Sequence, residues 1–339
     1  MKGIVLLYCC ILGLDLAFAQ DQQIGIIDFF GLRTVSEQQA RIALGLHEGD
    51  TLPTSISDIE ERMKDSLHVA EAHINVVCCD DSGRIILFVG IRETPERRSM
   101  YRASPHWNIS LPPEITDAYN HFLDAFQLAV SKGITGDDLT EGHSMMADSA
   151  TRSWQKQFLV FARHDLKILR TVLRNSADPT QRATAAYVIG YASDKRLVTD
   201  DLLNAVVDED EIVRNNAARA LAAIATLANR KPGLRIRISA APFINMLGSS
   251  VWTDRNKALM VLSVMTKKRN HTLLRQLRDR AFRSLVEMAR WKSKGHAYNA
   301  FLMLGRVSGF SDRELNKVAW DIPRRNALID RIVKAHHKQ

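Results

Sequence analysis

The stretch DEDEIVRNNAARALAAIATLA, Asp208 to Ala228, decides the fold. It opens on carboxylates, passes through Arg214 and two asparagines, and closes on alanines. Val213, Ala217, Ala220, Leu221 and Ile224 fall at i, i+4, i+7, i+8 and i+11, one stripe of a helix that must be buried. Asp208 and Asp210 precede that helix, where carboxylates satisfy free amides and suit the positive end of the dipole. The pattern recurs. DPTQRATAAYVIG aligns on it at an offset of 32, with Asp178 on Asp210, Arg182 on Arg214 and Ile189 on Leu221. WTDRNKALMVL aligns at an offset of 41, with Arg255 on Arg214 and Leu262 on Leu221. GHAYNAFLMLG is a looser fourth copy. Two helices per 30 to 45 residues, repeated, mean a stacked solenoid. The repeated arginine is expected to bridge to an acid of the next unit.

This pattern resembles HEAT repeats, including the bacterial subgroup first noted in phycobilin lyases. The resemblance covers about 150–320 and implies a helical scaffold, with no reaction attached. Other apolar helical periods surround it. Ile115–Lys132 carries Tyr119, Phe122, Phe126 and Val130 on one side, and Thr151–Asn175 reads as one long period.

The front of the chain has another character. MKGIVLLYCCILGLDLAFAQ has a charged start, a short apolar run and Ala17-Phe18-Ala19, the order of a secretory signal peptide over residues 1–19. The mature chain is expected to be periplasmic or secreted, and soluble or peripheral to a membrane. Residues 22–95 then read β-α-α-β-β. Ser36 to Gln39 supplies a capping box, Pro53 to His68 a second helix, and Ala72–Cys79 and Arg84–Arg92 a hairpin around Asp80-Asp81-Ser82-Gly83. IGIIDFFGLRTVSEQQARIALGLHEGDTLP and RIILFVGIRE, with Gly31, Gly49 and Gly90, resemble a POTRA domain of outer-membrane assembly and secretion translocases. That resemblance implies partner binding by strand addition at a sheet edge, with no catalytic residues. Residues 96–113, with Pro105, Pro112 and Pro113, read as a linker, and 114–335 as the helical domain. The expected fold is therefore α+β with two domains, a small POTRA-like domain and an all-α HEAT-type solenoid.

Composition is that of an ordinary globular chain, 46% apolar and 25% charged. The net charge of +8 is spread out, with a denser end at Arg324, Arg325, Arg331, Lys334 and Lys338. Export makes nucleic acid the weakest partner for it. With the leader removed, Cys78 and Cys79 remain. Adjacent cysteines staple no framework and two thiolates are too few for structural zinc; the pair is expected to be small apolar filler, with a vicinal ring or redox pair in an oxidising compartment as the alternative.

None of the motifs HExxH, GxSxG, P-loop or GxGxxG is present, and neither a metal nor a cofactor is expected. Glu141-Gly142-His143 reads as a capping segment. Two stretches are richer. SVWTDRNKA holds Trp252, Asp254 and Arg255, and EMARWKSKGHA holds Glu287, Arg290, Trp291 and His296. Equivalent positions of successive repeats lie side by side, so these residues form a candidate binding patch. They equally suit a buried network between repeats with each tryptophan in the core. The function expected is a non-enzymatic adaptor binding protein partners in the cell envelope through the sheet edge and the solenoid face. The alternatives are an enzyme with acid–base chemistry at Glu287 and His296, or a lipid or cell-wall binder using the basic C-terminus.

Overall fold

The structure is a computed structural model and describes residues 23–93 and 101–337. The expected leader, 1–19, and the start of the expected linker lie outside the described residues. The fold is α+β and mostly helical, with fourteen α-helices and a small N-terminal sheet among the described residues. Its contacts divide into two compact units. The described residues of one are 101–242 and 260–265. Those of the other are 23–93, 243–259 and 266–337.

The second unit begins with β1 (Ile24–Phe30), α1 (Glu37–Leu44), α2 (Ile56–Leu67), β2 (Glu71–Val77) and β3 (Ile85–Arg92). Local chemistry sets these bounds. Ser36 and Gln39 form the capping box that starts α1, and Gly45, with φ of 66°, ends it. The sheet order is β1-β3-β2, with β1 parallel and β2 antiparallel to the central β3. Ile85, Leu87, Val89 and Ile91 of β3 pack with Ala40, Leu44, Ile59 and Met63 of the two helices. The alternate residues Ile86 and Phe88 are buried as well, so the opposite face of the sheet is also covered. A central strand buried on both faces is what the unbroken apolar run IILFVGI encodes.

The first unit holds α3 (Pro113–Ser131), a small hairpin of β4 (Asp137–Asp138) and β5 (Met145–Met146), α4 (Ser149–His164), α5 (Leu166–Asn175), α6 (Pro179–Ile189), α7 (Lys195–Ala205) and α8 (Glu211–Arg230). The single period read over Thr151–Asn175 is two helices. Asp165 closes α4 with its N–H on the Phe161 carbonyl, and α5 starts at the next residue. Asp178, Asp194 and Asp210 cap α6, α7 and α8 through their side chains, so each acidic start is a helix start. Residues 101–112, expected as a linker, contain neither helix nor strand but are fastened down. Arg102 donates to Asp208 and to the carbonyls of Leu173 and Arg174, Tyr101 lies under the Arg214 guanidinium, and Ile109 O accepts from Ser176.

The repeated arginines follow one rule. Arg182 donates to the Ser176 and Ala177 carbonyls, Arg214 to those of Asp208 and Glu209, and Arg255 to that of Ser249, six residues upstream each time in the first-named bond. Each guanidinium thus folds back onto the turn that precedes its own helix. Arg182 also pairs with Asp208 at 2.8 Å, an acid 26 residues on, and Arg255 with Glu287 at 3.0 Å, 32 residues on. All three arginines are buried. Buried guanidinium groups cost too much to persist without such partners.

The remaining helices are α9 (Ala241–Met246), α10 (Trp252–Met265), α11 (His271–Ala289), α12 (Lys294–Val307), α13 (Asp312–Asn316) and α14 (Ile322–His336). The first half of α10 and all of α11 to α14 belong to the sheet-bearing unit.

Candidate functional site

The residues of the candidate patch do come together, but against the chain's own sheet. Asp28, Phe88 and Asn75 are paired in register across β1, β3 and β2 and form one row of the sheet. Phe88 stacks on Trp252 at 5.0 Å and meets Trp291 at 4.7 Å and His296 at 5.2 Å. The polar ends of the row serve the helices. Asn75 Oδ1 accepts from the Trp252 N–H, the first residue of α10, at 3.0 Å. Asp28 accepts from the Lys292 N–H, two residues before α12. Free amides at helix starts need acceptors, and here strand side chains provide them. One row further, Phe30 lies under the Arg255 guanidinium, and Gly90 leaves room for the Ser250 carbonyl, which a Cβ there would meet at 1.9 Å.

This arrangement removes the patch from solvent. Trp252, Asp254, Arg255, Trp291 and His296 are all at most 4% exposed, so as a surface for an outside partner the expectation is corrected. The physical reason is aromatic area: two indoles at the helix starts are covered by Phe30 and Phe88. Arg290 lies outside the cluster, exposed and paired with Asp330. Glu287 is held by Arg255, by Arg283 at 3.5 Å and by the Gly31 N–H at 3.3 Å.

Electrostatics agree with packing. Burial, assisted by the Lys257 charge, pushes the His296 imidazole down to about 3, so it is neutral at physiological pH. Burial pushes the Asp28 carboxyl up to about 6, against the amides it accepts from and the Lys292 charge. Glu287 and His296 have different tasks: the carboxylate neutralises an arginine and the imidazole fills space between Phe88 and Trp252.

The edges of the sheet carry partners too. On β2 the Ile74 N–H donates to Glu60 at 2.6 Å. On β1 Ile24 exchanges hydrogen bonds with Gly49 and Asp50, and Lys292 Nζ donates to the Ile27 carbonyl. Side chains placed this way blunt a strand edge.

A second cluster is met in the sequence only through Glu141-Gly142-His143, which reads there as a capping segment. In the helical unit, Asp137 of β4 accepts from Arg219 of α8 at 2.7 Å and from Ser144. Gln155 donates to Ser144 and to the Tyr187 hydroxyl, which also accepts from Tyr191. His143 stacks near Tyr191, and burial together with the Lys195 charge holds its imidazole down at about 4. Lys195 is buried with its ammonium on the Gly190 carbonyl, and burial brings it down to about 7. The recess among them has room for about one water molecule. These residues pin the β4–β5 hairpin onto α6 and α8. They are 82 positions apart at the extreme, so no local spacing announces them.

A family of HEAT repeats matches residues 166–263. No curated protein matches the chain. The match spans Asp178, Arg182, Asp210, Arg214 and Arg255, the residues of the arginine rule, and the chain is similar to HEAT repeats over that stretch. Among the described residues no group of His, Cys, Asp and Glu could hold a metal ion, and no helix is long and apolar enough to cross a membrane.

Proposed function

We propose that this chain is a non-enzymatic protein-binding scaffold of the cell envelope, exported by its N-terminal leader, with a HEAT-type solenoid as its binding surface. The observation that carries the reading is the fate of the patch. The most chemically equipped side chains of the sequence, Trp252, Arg255, Glu287, Trp291 and His296, hold the chain's own sheet in place. An acid–base site would need Glu287 and His296 open to a substrate, and packing opposes this.

The sheet module has a POTRA-like order, β-α-α-β-β, and in this reading it is a built-in cap on the helices of its own unit. The side chains on its edges argue against strand addition as the main binding mode. Binding falls instead to exposed helix faces of the other unit, where Leu128 of α3, Val160 of α4 and Leu197 of α7 are each more than half exposed. The basic C-terminus is a weaker candidate than its composition suggests, because Arg325 is fully buried and donates to the Trp291 carbonyl.

The test is crosslinking in intact cells with the full chain and with Leu128→Asp, Val160→Asp and Leu197→Asp, each checked for native unfolding behaviour. Loss of one defined crosslinked protein in at least one folded variant is the expected result. An unchanged crosslinking pattern in all three would overturn the placement of the binding surface.

A further inference from the structure

We propose that the Cys78–Cys79 disulfide is a surface redox site, opened and closed by thiol–disulfide exchange with a dithiol. The two sulfurs are bonded to each other, and Cys78 is exposed while Cys79 is half-buried. Neither is the apolar filler that a strand-end position suggests. β2 ends at Val77, so the pair stands in the hairpin connection outside the ladder.

A disulfide ordinarily stabilises a fold by restricting the unfolded chain, and the effect grows with the loop closed. A bond between neighbours encloses no intervening residue and supplies almost none of that restriction. The turn it sits in is secured by other groups. Asp80 Oδ1 accepts from the Ser82 and Arg84 amides, Asp80 Oδ2 accepts from the Arg84 guanidinium, and the Asp80 N–H donates to the Arg84 carbonyl. Lys294, at the start of α12, lies 3.7 Å from Asp81. Opening the sulfur bridge therefore leaves the hairpin, the sheet and the row facing Trp252 intact. The bond is chemically accessible and structurally dispensable, which is the combination a reversible redox site needs.

The exposures set the direction of the chemistry. A thiolate of the dithiol attacks Cys78 Sγ, the S–S bond breaks, and Cys79 leaves as a thiolate that takes up a proton. The second thiolate of the reagent then attacks its own sulfur in the mixed disulfide and releases Cys78. Two electrons and two protons pass to the pair, and the reagent becomes a disulfide.

The experiment uses the full native chain and dithiothreitol. After graded exposure, free thiols are capped with N-ethylmaleimide and the peptide containing Cys78 and Cys79 is weighed, which keeps Cys9 and Cys10 out of the count. The peptide should be unlabelled without reductant and doubly labelled at millimolar dithiothreitol, while the amide-exchange protection of β2, β3 and α12 stays unchanged. In single variants, the thiol of Cys79→Ser should alkylate on the order of tenfold faster than that of Cys78→Ser, because attack follows accessibility. Labelling without reductant, labelling that needs denaturant, or loss of protection on reduction would each overturn the proposal.

Discussion

The turn before α8 and the turn before α10 are built from one sequence pattern and end in different company. In the first, Arg182 reaches Asp208, an acid that also accepts from Arg102 and from the Asp210 N–H. Every partner there is a helix, a helix turn or the strap of residues 101–112. In the second, Arg255 reaches Glu287, and the same carboxylate accepts from Gly31 at the end of a strand. Recurrent residues thus mark how the chain is constructed. The residues that do not recur, Trp252, Trp291 and His296, mark where construction changes from helix on helix to sheet on helix.

The largest expected effect follows from the second environment. Deleting residues 20–95 uncovers Trp252, Trp291 and His296 together, and amide exchange in α11 and α12 should lose its protection. Protection in α6 and α7 surviving the deletion would sharpen the contrast between the units. Protection surviving in α11 and α12 would break it. Phe88→Ala is the single-residue version and should cost about 3–5 kcal/mol, read from denaturant midpoints.

The two acids come next. Asp208 is buried and bonded to two arginines, so Asp208→Ala should cost about 3–5 kcal/mol by stranding them. Glu287 is partly exposed, which lets water replace it, and Glu287→Ala should cost about 1–2 kcal/mol. Equal costs would refute the difference drawn between the two turns.

A pH series separates the polar groups under the sheet. Asp28 keeps its proton in the fold up to about 6, while the unfolded chain releases it near 3.8, so this group makes stability fall as pH rises between those values. His296 stays neutral in the fold down to about 3, while the unfolded chain takes a proton below 6.5, so it makes stability rise over that range. The two oppose each other from about pH 4 to 6. Asp28→Asn should leave the rising slope and His296→Phe the falling one, in denaturant midpoints at pH 4, 5 and 6. Parallel slopes in the two variants would show that the groups do not share the folded environment described.

The smallest effect is local. Ser36→Ala removes the capping box of α1 and should cost about 1 kcal/mol without altering exchange in α10 to α12. The exposed Arg290–Asp330 pair should be silent, because surface pairs are screened.

Much of the fold was legible. The caps at Ser36, Asp178 and Asp210, and the bonds of the repeated arginines to the turn before their own helix, act within a few residues, so their spacing survives in sequence. The site was legible only as a set of names. Asp28 and Asn75 stand as polar residues in the middle of apolar strands, a signal that each has a buried partner, yet the partners are 264 and 177 positions away. The Asp137–Arg219 cluster had no such signal.

The sequence by itself determined most of the helical segments, the capped starts at Ser36, Asp178 and Asp210, the β-α-α-β-β order and the recurrence of DEDEIVRNNAARALAAI, because hydrogen bonds to the nearest amides and apolar periodicity are short-range. Only the tertiary structure decided that the tryptophans of two repeat junctions face Phe88. A hydrophobic surface has to be covered, but the hydrophobic effect is non-directional, and nothing in Trp252 or Trp291 says by what.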